Sequence, residues 1–197
     1  MMFGNFKPTN GDALLIVDVQ NDFLPGGSLA VAEGNQVVAV LNDYLAAFLK
    51  QGLPIYATRD WHTSDHCSFQ AQGGPWPPHC VAGSQGAEFA PGLQLPEGEF
   101  TVISKGTHRD RDAYSGFEGT DLAVRLRDVG VRRLFIGGLA TDYCVLNTVR
   151  DALREGFAVL LLEDASRAVN VQPDDGARAI AEMRERGAVP ITLAEVA

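Results

Sequence analysis

Three side chains of this sequence have the types needed for covalent catalysis. Asp18 directly follows the apolar run 13–17, and Lys105 directly follows the run 100–104. Cys144 stands at the start of a helical pattern, where the helix dipole and a nearby ammonium both lower the pKa of a thiol. A carboxylate can take the thiol proton and return it to a leaving amine. We therefore predict Cys144 as a nucleophile, Asp18 as its base and Lys105 as the neighbouring cation.

Each of these residues also has an ordinary structural interpretation. A lone cysteine at a helix start is often a small buried apolar residue. An aspartate after a strand often caps a turn, and a lysine is usually a surface cation. The catalytic interpretation is favoured because all three follow strands or begin a helix at what we predict to be one edge of a sheet.

Acyl transfer also requires hydrogen-bond donors for an oxyanion. Backbone N–H groups in the first turn of a helix have no helical acceptor, so they can serve as such donors. We predict that the amides of Ala140 and Cys144 form the oxyanion hole. Gly137 and Gly138, which have no side chain, let a substrate approach the backbone closely.

A second group of polar residues lies in a long loop and has the composition of a metal site. It contains Asp60, His62, His66 and His79. In an extended segment, the pattern Asp-x-His places both side chains on the same face. Few ligands of mixed carboxylate and imidazole type suit a metal that keeps open positions. The alternative is that these histidines are only polar loop residues.

A competing metal site would use adjacent His-Cys pairs as a closed structural zinc centre. Its ligands would be His66, Cys67, His79 and Cys80. Structural zinc sites usually separate paired ligands by two or more residues, and adjacent ligands strain a tetrahedral geometry. The sequence therefore favours the open site over this one.

Aromatic residues near these groups could hold a flat ring. Phe23, Trp61, Trp76 and Tyr114 all lie within or close to the segments that carry the candidate ligands and catalytic residues. Aromatic side chains stack well on planar ligands, although most aromatics in proteins only pack the core. Neither glycine-rich phosphate-binding fingerprint occurs in the chain, which argues against a nucleotide ligand.

The elements that must position these side chains alternate between strands and helices. Apolar runs predict strands at 13–17, 53–58, 100–104, 133–137, 158–162 and 189–193. Helical periodicity predicts helices at 35–51, 120–129, 143–155 and 173–186. This order predicts an α/β fold of three layers, with a doubly wound, mostly parallel six-stranded sheet and helices on both faces, as in Rossmann-like proteins. Ligands of such sheets bind at the carboxyl ends of the strands.

Length and composition set the remaining expectations. The 197 residues fit one domain, 1–197, with a candidate metal-binding loop at about 60–98. A net charge of −9 argues against nucleic acid and anionic membranes as partners, and leaves a small molecule. No apolar run reaches the ~20 residues of a membrane span, no signal peptide is recognisable, and three cysteines predict no disulfide framework. We expect a cytoplasmic protein, and the sequence leaves a homo-oligomer open.

Five blocks of the sequence resemble a known family. They read VDVQNDFLPGGSLAV, TRDWHTSDHCSF, GGPWPPHCVAGSQGAEF, ISKGTHRDRDAYSGF and GGLATDYCV, and they occur in the family's order. The similarity runs from about Leu14 to Thr192. On these motifs the chain resembles the nicotinamidase/pyrazinamidase family, within the isochorismatase-like cysteine hydrolases.

The resemblance implies a role for each site residue. The implied catalytic triad is Asp18, Lys105 and Cys144. The implied metal ligands are Asp60, His62 and His79, with zinc or iron as the usual metal and manganese as a further candidate. The implied ring contacts are Phe23, Trp76 and Tyr114. The implied oxyanion hole uses the amides of Ala140 and Cys144, with a cis peptide bond before Ala140. His66 stays open, either as a fourth ligand or as a residue behind the ligands.

The activity implied by the resemblance is hydrolysis of nicotinamide to nicotinate and ammonia through a cysteine thioester, with pyrazinamide as a further substrate. One alternative is another cysteine hydrolase of the same superfamily that acts on a carbamoyl or other small amide. A second is a metal-binding scaffold without catalysis, which would have no use for the acid, lysine and thiol together. A third, vinyl-ether hydrolysis by an isochorismatase proper, would not need Cys144.

Overall fold

The computed structural model describes residues 6–196. Their strands are β1 (Asp12–Val17), β2 (Ile55–Asp60), β3 (Thr101–Lys105), β4 (Arg133–Leu139), β5 (Ala158–Arg167) and β6 (Val189–Ile191). Their α-helices are α1 (Gln36–Lys50), α2 (Leu122–Asp128), α3 (Leu146–Arg154) and α4 (Asp175–Glu185). Among these residues, no helix has the length and apolar character needed to cross a bilayer.

The six strands form one parallel sheet in the order β3-β2-β1-β4-β5-β6. Strands β1 to β3 extend the sheet in one direction from β1, and β4 to β6 extend it in the other. The order therefore reverses between β1 and β4, which is where ligands bind in open α/β sheets. Asp18 follows β1 and Cys144 follows β4, so the predicted base and nucleophile flank this point.

Alternating side chains of the buried strands form a core on each face of the sheet. On one face, Leu14 and Ile16 pack with the apolar stripe of α1, which includes Leu41 and Phe48. On the other face, strand residues such as Leu15 pack with the apolar stripes of α2, α3 and α4. Helices on both faces confirm the three-layer α/β fold, since a sheet that is apolar on both sides must be covered on both.

The predicted strands β2 to β5 all end too early, and the extensions of β2 and β5 show why. Strand β2 continues through Asp60 because Asp60 pairs with Lys105 of β3. Strand β5 continues to Arg167 because, after a register shift, β4 pairs again through Gly138 and Ser166. Both extensions carry polar residues, so hydrophobic patterning does not mark them.

Candidate active site

Asp18 lies where β1 leaves the sheet. Its backbone has a φ of 48°, an uncommon conformation for a residue with a side chain, and the residue is fully buried. The Thr58 hydroxyl donates a hydrogen bond of 2.6 Å to Asp18 Oδ1. The other oxygen, Oδ2, has no hydrogen-bond partner among the described residues, although it lies 2.9 Å from Lys105 Nζ. Thr58 therefore fixes the carboxylate and leaves Oδ2 available.

Lys105 lies between the acids and the thiol and is only 1% exposed. Its Nζ donates hydrogen bonds to Asp60 Oδ1 (2.5 Å), the Ala113 carbonyl (3.2 Å) and Cys144 Sγ (3.4 Å). Burial alone would lower the pKa of Lys105, but the two carboxylates outweigh it and raise the pKa well above its usual value. Lys105 is therefore a buried permanent cation.

Cys144 lies in a wide turn, Thr141–Val145, that leads directly into α3. Burial raises the pKa of this thiol well above its usual value, and Asp18 and Asp60 add to that effect against Lys105. The sequence predicts the opposite direction from the helix start and Lys105, because burial and the nearness of the two carboxylates arise only on folding. The thiol therefore carries its proton before reaction and needs a base at the moment of attack.

Asp18 is placed to be that base. One of its carboxylate oxygens lies within 4.8 Å of Cys144 Sγ. Burial raises the pKa of Asp18 against the lowering effect of Lys105, so its carboxylate is a stronger proton acceptor than an exposed one. The geometry thus joins a protonated thiol, a buried base and a fixed cation.

The backbone before Cys144 approaches β1 unusually closely. Gly138 has a φ of 133°, and a Cβ there would lie 2.1 Å from the Val17 carbonyl oxygen, so only glycine fits. The Leu139–Ala140 peptide is cis. The Ala140 carbonyl accepts hydrogen bonds from the amides of Tyr143 and Val145, each of 3.1 Å. Ala140 and Cys144 both line the pocket, and their oxyanion-hole role stays a prediction.

Asp60, His62 and His79 bring together one potential ligand atom each within 4.8 Å of one another, and all three residues are buried. His62 Nδ1 lies 2.8 Å from the Gly106 carbonyl, and His79 Nδ1 lies 2.8 Å from the Pro77 carbonyl. A carbonyl accepts only, so Nδ1 carries the proton in each ring and Nε2 keeps its lone pair. One carboxylate and two such imidazoles fit a divalent metal with open positions.

His66 lies beside this group without joining it. Its ring stacks on His62 with 4.1 Å between centroids. Its Nδ1 lies 2.7 Å from the Ser68 hydroxyl, and its Nε2 lies 3.2 Å from the Arg111 carbonyl. Both nitrogens therefore have protein partners, which fits a residue that supports His62 from behind.

The competing closed zinc site is not assembled. Among the described residues, the groups able to hold a metal include neither Cys67 nor Cys80. Cys80 is fully buried, and burial raises the pKa of its thiol far above its usual value. The Cys80 amide instead donates a hydrogen bond of 2.7 Å to Asp22, which ties the loop to the segment after β1.

Cys144 and two of the metal-binding candidates, Asp60 and His79, line one pocket. Its lining residues are Phe23, Leu29, Val31, Asp60, Trp76, His79, Tyr114, Ala140, Tyr143, Cys144 and Val169. Trp76 Nε1 donates a hydrogen bond of 2.9 Å to the Tyr114 hydroxyl, and Tyr143 packs edge-on against Trp76. The Phe23 ring packs at a tilt against the His79 ring, with 5.7 Å between their centroids. All three predicted ring-contacting residues therefore line the pocket.

Several residues of the pocket were not identified from the sequence. Leu29 and Val31 lie in a segment that reads only as a turn, and Val169 lies after the extended end of β5. Asp142 fixes Val169 by accepting hydrogen bonds from the amides of Val169 (2.9 Å) and Asn170 (2.8 Å). The position of Asp142 after β4, at the predicted ligand-binding edge, was the available signal.

Known proteins resemble this chain over most of its length. Residues 12–195 match the family described as the Isochorismatase domain. The chain belongs to the isochorismatase family. A relative named nicotinamidase, from Escherichia coli (strain K12), is 41% identical over 204 residues, which covers 93% of this chain and 95% of the relative.

Two solved structures share this isochorismatase fold closely. The pyrazinamidase of Pyrococcus horikoshii in complex with zinc has a TM-score of 0.89 and 49% identity, and covers 93% of this chain and 99% of its own. PnC1 from L. infantum in complex with nicotinate has a TM-score of 0.88 and 38% identity, and covers 97% of both chains. The fold and the family expected from the motifs are thus confirmed.

Proposed function

We propose that the protein is a nicotinamidase, which hydrolyses nicotinamide to nicotinate and ammonia, and that it also accepts pyrazinamide. One observation carries the proposal. Cys144, with Lys105 and Asp18 buried behind it, lines the same aromatic-lined pocket as two of the candidate metal ligands, Asp60 and His79. Such a pocket combines a nucleophile that can attack an amide carbon with a separate site that can bind the flat ring of a small substrate.

The first half of the proposed reaction forms a thioester. Cys144 Sγ attacks the amide carbon while its proton moves to Asp18 Oδ2, the oxygen that lacks a hydrogen bond. The amides of Ala140 and Cys144 bind the oxyanion. The intermediate collapses when the C–N bond breaks, and Asp18 gives its proton to the departing nitrogen, which leaves as ammonia.

The second half consumes one water molecule. Asp18, a carboxylate again, takes a proton from water as the water oxygen attacks the thioester carbon. The C–S bond then breaks, Cys144 recovers a proton from Asp18, and the product carboxylic acid leaves and loses its remaining proton to solvent as nicotinate. Throughout, the Lys105 ammonium lies 2.9 Å from Asp18 and 3.4 Å from Sγ, so it stabilises whichever of the two is anionic.

The proposed metal site serves substrate binding. When bound by Asp60, His62 and His79, a divalent ion such as zinc, iron or manganese supplies a Lewis acid for the ring nitrogen of the substrate. Phe23, Trp76 and Tyr114 hold the ring from its sides. The cytoplasmic location and the single domain inferred from the sequence belong to the same proposal.

Ammonia release from purified, zinc-loaded protein tests the substrate. We expect steady production of ammonia and nicotinate from nicotinamide, and turnover of pyrazinamide in the same assay. A set of carbamoyl compounds and small aliphatic amides serves as the comparison. If only these release ammonia, the protein is another small-amide hydrolase of the family, and if no amide is turned over, the catalytic proposal fails.

Replacing His79 with alanine tests the metal site. We expect the zinc content to fall well below one ion per chain, because only two of the three ligand side chains remain, and nicotinamide binding to weaken. Elemental analysis of the dialysed protein measures the first effect. His108→Ala, which changes a histidine outside the ligand group, is the control, and equal zinc contents in the two variants would remove His79 from the ligand set.

A further inference from the structure

The last residue of β2 lacks a strand partner on one side. Strands β1 and β2 pair through Val17 and Thr58, after which β1 turns away at Asp18. On the other side, Asp60 remains paired with Lys105 of β3. The backbone of Asp60 therefore faces, on the β1 side, a position that the sheet itself does not fill. Buried backbone groups of this kind require another partner.

The side chain of Gln20 fills that position. Its Nε2 donates a hydrogen bond of 2.8 Å to the Asp60 carbonyl, and its Oε1 accepts one of 2.8 Å from the Asp60 amide. A second hydrogen bond from Nε2 reaches the Ala87 carbonyl at 2.9 Å. Gln20 is fully buried, so these bonds have no competition from solvent. The amide group thus replaces a strand neighbour for Asp60 and also ties down the long loop.

The two carboxylate oxygens of Asp60 face different side chains. Its Oδ1 lies 2.5 Å from Lys105 Nζ, and its Oδ2 lies 3.7 Å from His62 Nε2. The direction of the Asp60 Cα–Cβ bond depends on the two peptide groups that flank Cα. Gln20 holds one atom of each of these peptide groups.

We propose that Gln20 is a positioning residue for Asp60, and that its side-chain amide sets how tightly the site binds its metal. This inference rests on the proposed role of Asp60, His62 and His79 as ligands. Gln20 reaches Asp60 only through the backbone. Its contribution is to limit the rotation of the Asp60 carboxylate away from the two histidines, which keeps the ligand set assembled before the metal arrives.

The test is the equilibrium affinity for Zn²⁺ alone, measured by competition with a chromophoric chelator. Gln20→Met keeps the length of the side chain and removes all three hydrogen bonds. We expect its Kd for Zn²⁺ to rise about 10–100-fold, the usual effect of losing a residue that orients a ligand. A Kd within twofold of the wild-type value would overturn the proposal.

Asn42→Leu is the matched control. Asn42 also ties the long loop to the body of the protein, by donating to the Gly92 carbonyl and accepting from the Gln94 amide, each at 2.9 Å. We expect its Zn²⁺ affinity to stay within twofold of wild type. An equal loss in Asn42→Leu and Gln20→Met would mean that tethering of the loop explains the effect, and would refute a specific role at Asp60.

Gln20→Asn replaces Gln20→Met if the latter does not fold. It keeps the amide but shortens the side chain by one methylene, so the same loss of affinity is expected. If neither variant folds, Gln20 is a general structural residue and the proposal is wrong. A wild-type protein that binds no Zn²⁺ would instead refute the proposed metal site, which keeps the two failures distinct.

Discussion

Cys144→Ala is expected to reduce nicotinamide turnover by about 10⁴–10⁶-fold, the range found when a covalent nucleophile is removed. The reason is that no thioester can form without Sγ, whatever the state of Asp18 and Lys105. The fold and the zinc content are expected to persist, because the change removes one atom and leaves Asp60, His62 and His79 in place. Ammonia release, elemental analysis and thermal unfolding measure these three properties on the same preparation.

Cys67→Ser is the matched control for this prediction. Cys67 is a half-buried thiol outside the pocket, so its loss is expected to leave turnover unchanged. If Cys144→Ala lost activity by only about 10²-fold or less, Cys144 would not be the nucleophile, because covalent catalysis contributes far more than that. A loss of activity in Cys67→Ser would point to a different thiol chemistry.

The placement of the catalytic candidates could be predicted from the sequence because it depends on topology. Asp18 follows β1, Lys105 ends β3 and Cys144 lies in the turn after β4, and parallel strands bring their carboxyl ends to one edge. The direction of the thiol pKa could not be predicted, because it depends on burial and on the distances to two carboxylates. These quantities exist only in the folded chain.

Other features of the site could not be predicted from the sequence, because they are long-range contacts without a local pattern. Gln20 bonds to Asp60, forty positions away in the chain, and a buried glutamine has no periodicity that distinguishes it from a surface one. Asp142 similarly holds the amide of Val169. The role of His66 depended on what its two nitrogens contact, which spacing does not reveal. Sequence patterning thus predicted which site residues lie close together, but the hydrogen bonds that hold them in place could be found only in the structure.

Lys105→Met is expected to lower both stability and activity. Lys105 is the cation between the buried carboxylates of Asp18 and Asp60, and breaking a buried ion pair by removing one partner costs about 3–5 kcal/mol of unfolding free energy. Two neighbouring carboxylates without a cation cannot both remain ionised in a buried site, so they would share a proton. Asp18 would then hold a proton already and could not accept the one from Cys144, so we expect turnover to fall at least about 10²-fold.

Arg133→Met is the control that separates the loss of stability from the loss of activity. Arg133 forms a similar ion pair with the buried Asp12, with N–O distances of 2.8 and 2.6 Å, at the amino ends of the strands and hence at the opposite edge of the sheet. Both variants are expected to unfold at lower denaturant concentration than wild type. Only Lys105→Met is expected to lose turnover per folded molecule, since Asp12 is outside the pocket. If Lys105→Met kept wild-type turnover in its folded fraction, the ammonium would have only a structural role. Asp18 would then have to deprotonate the Cys144 thiol, whose pKa is raised by burial, without a neighbouring cation that stabilises the thiolate.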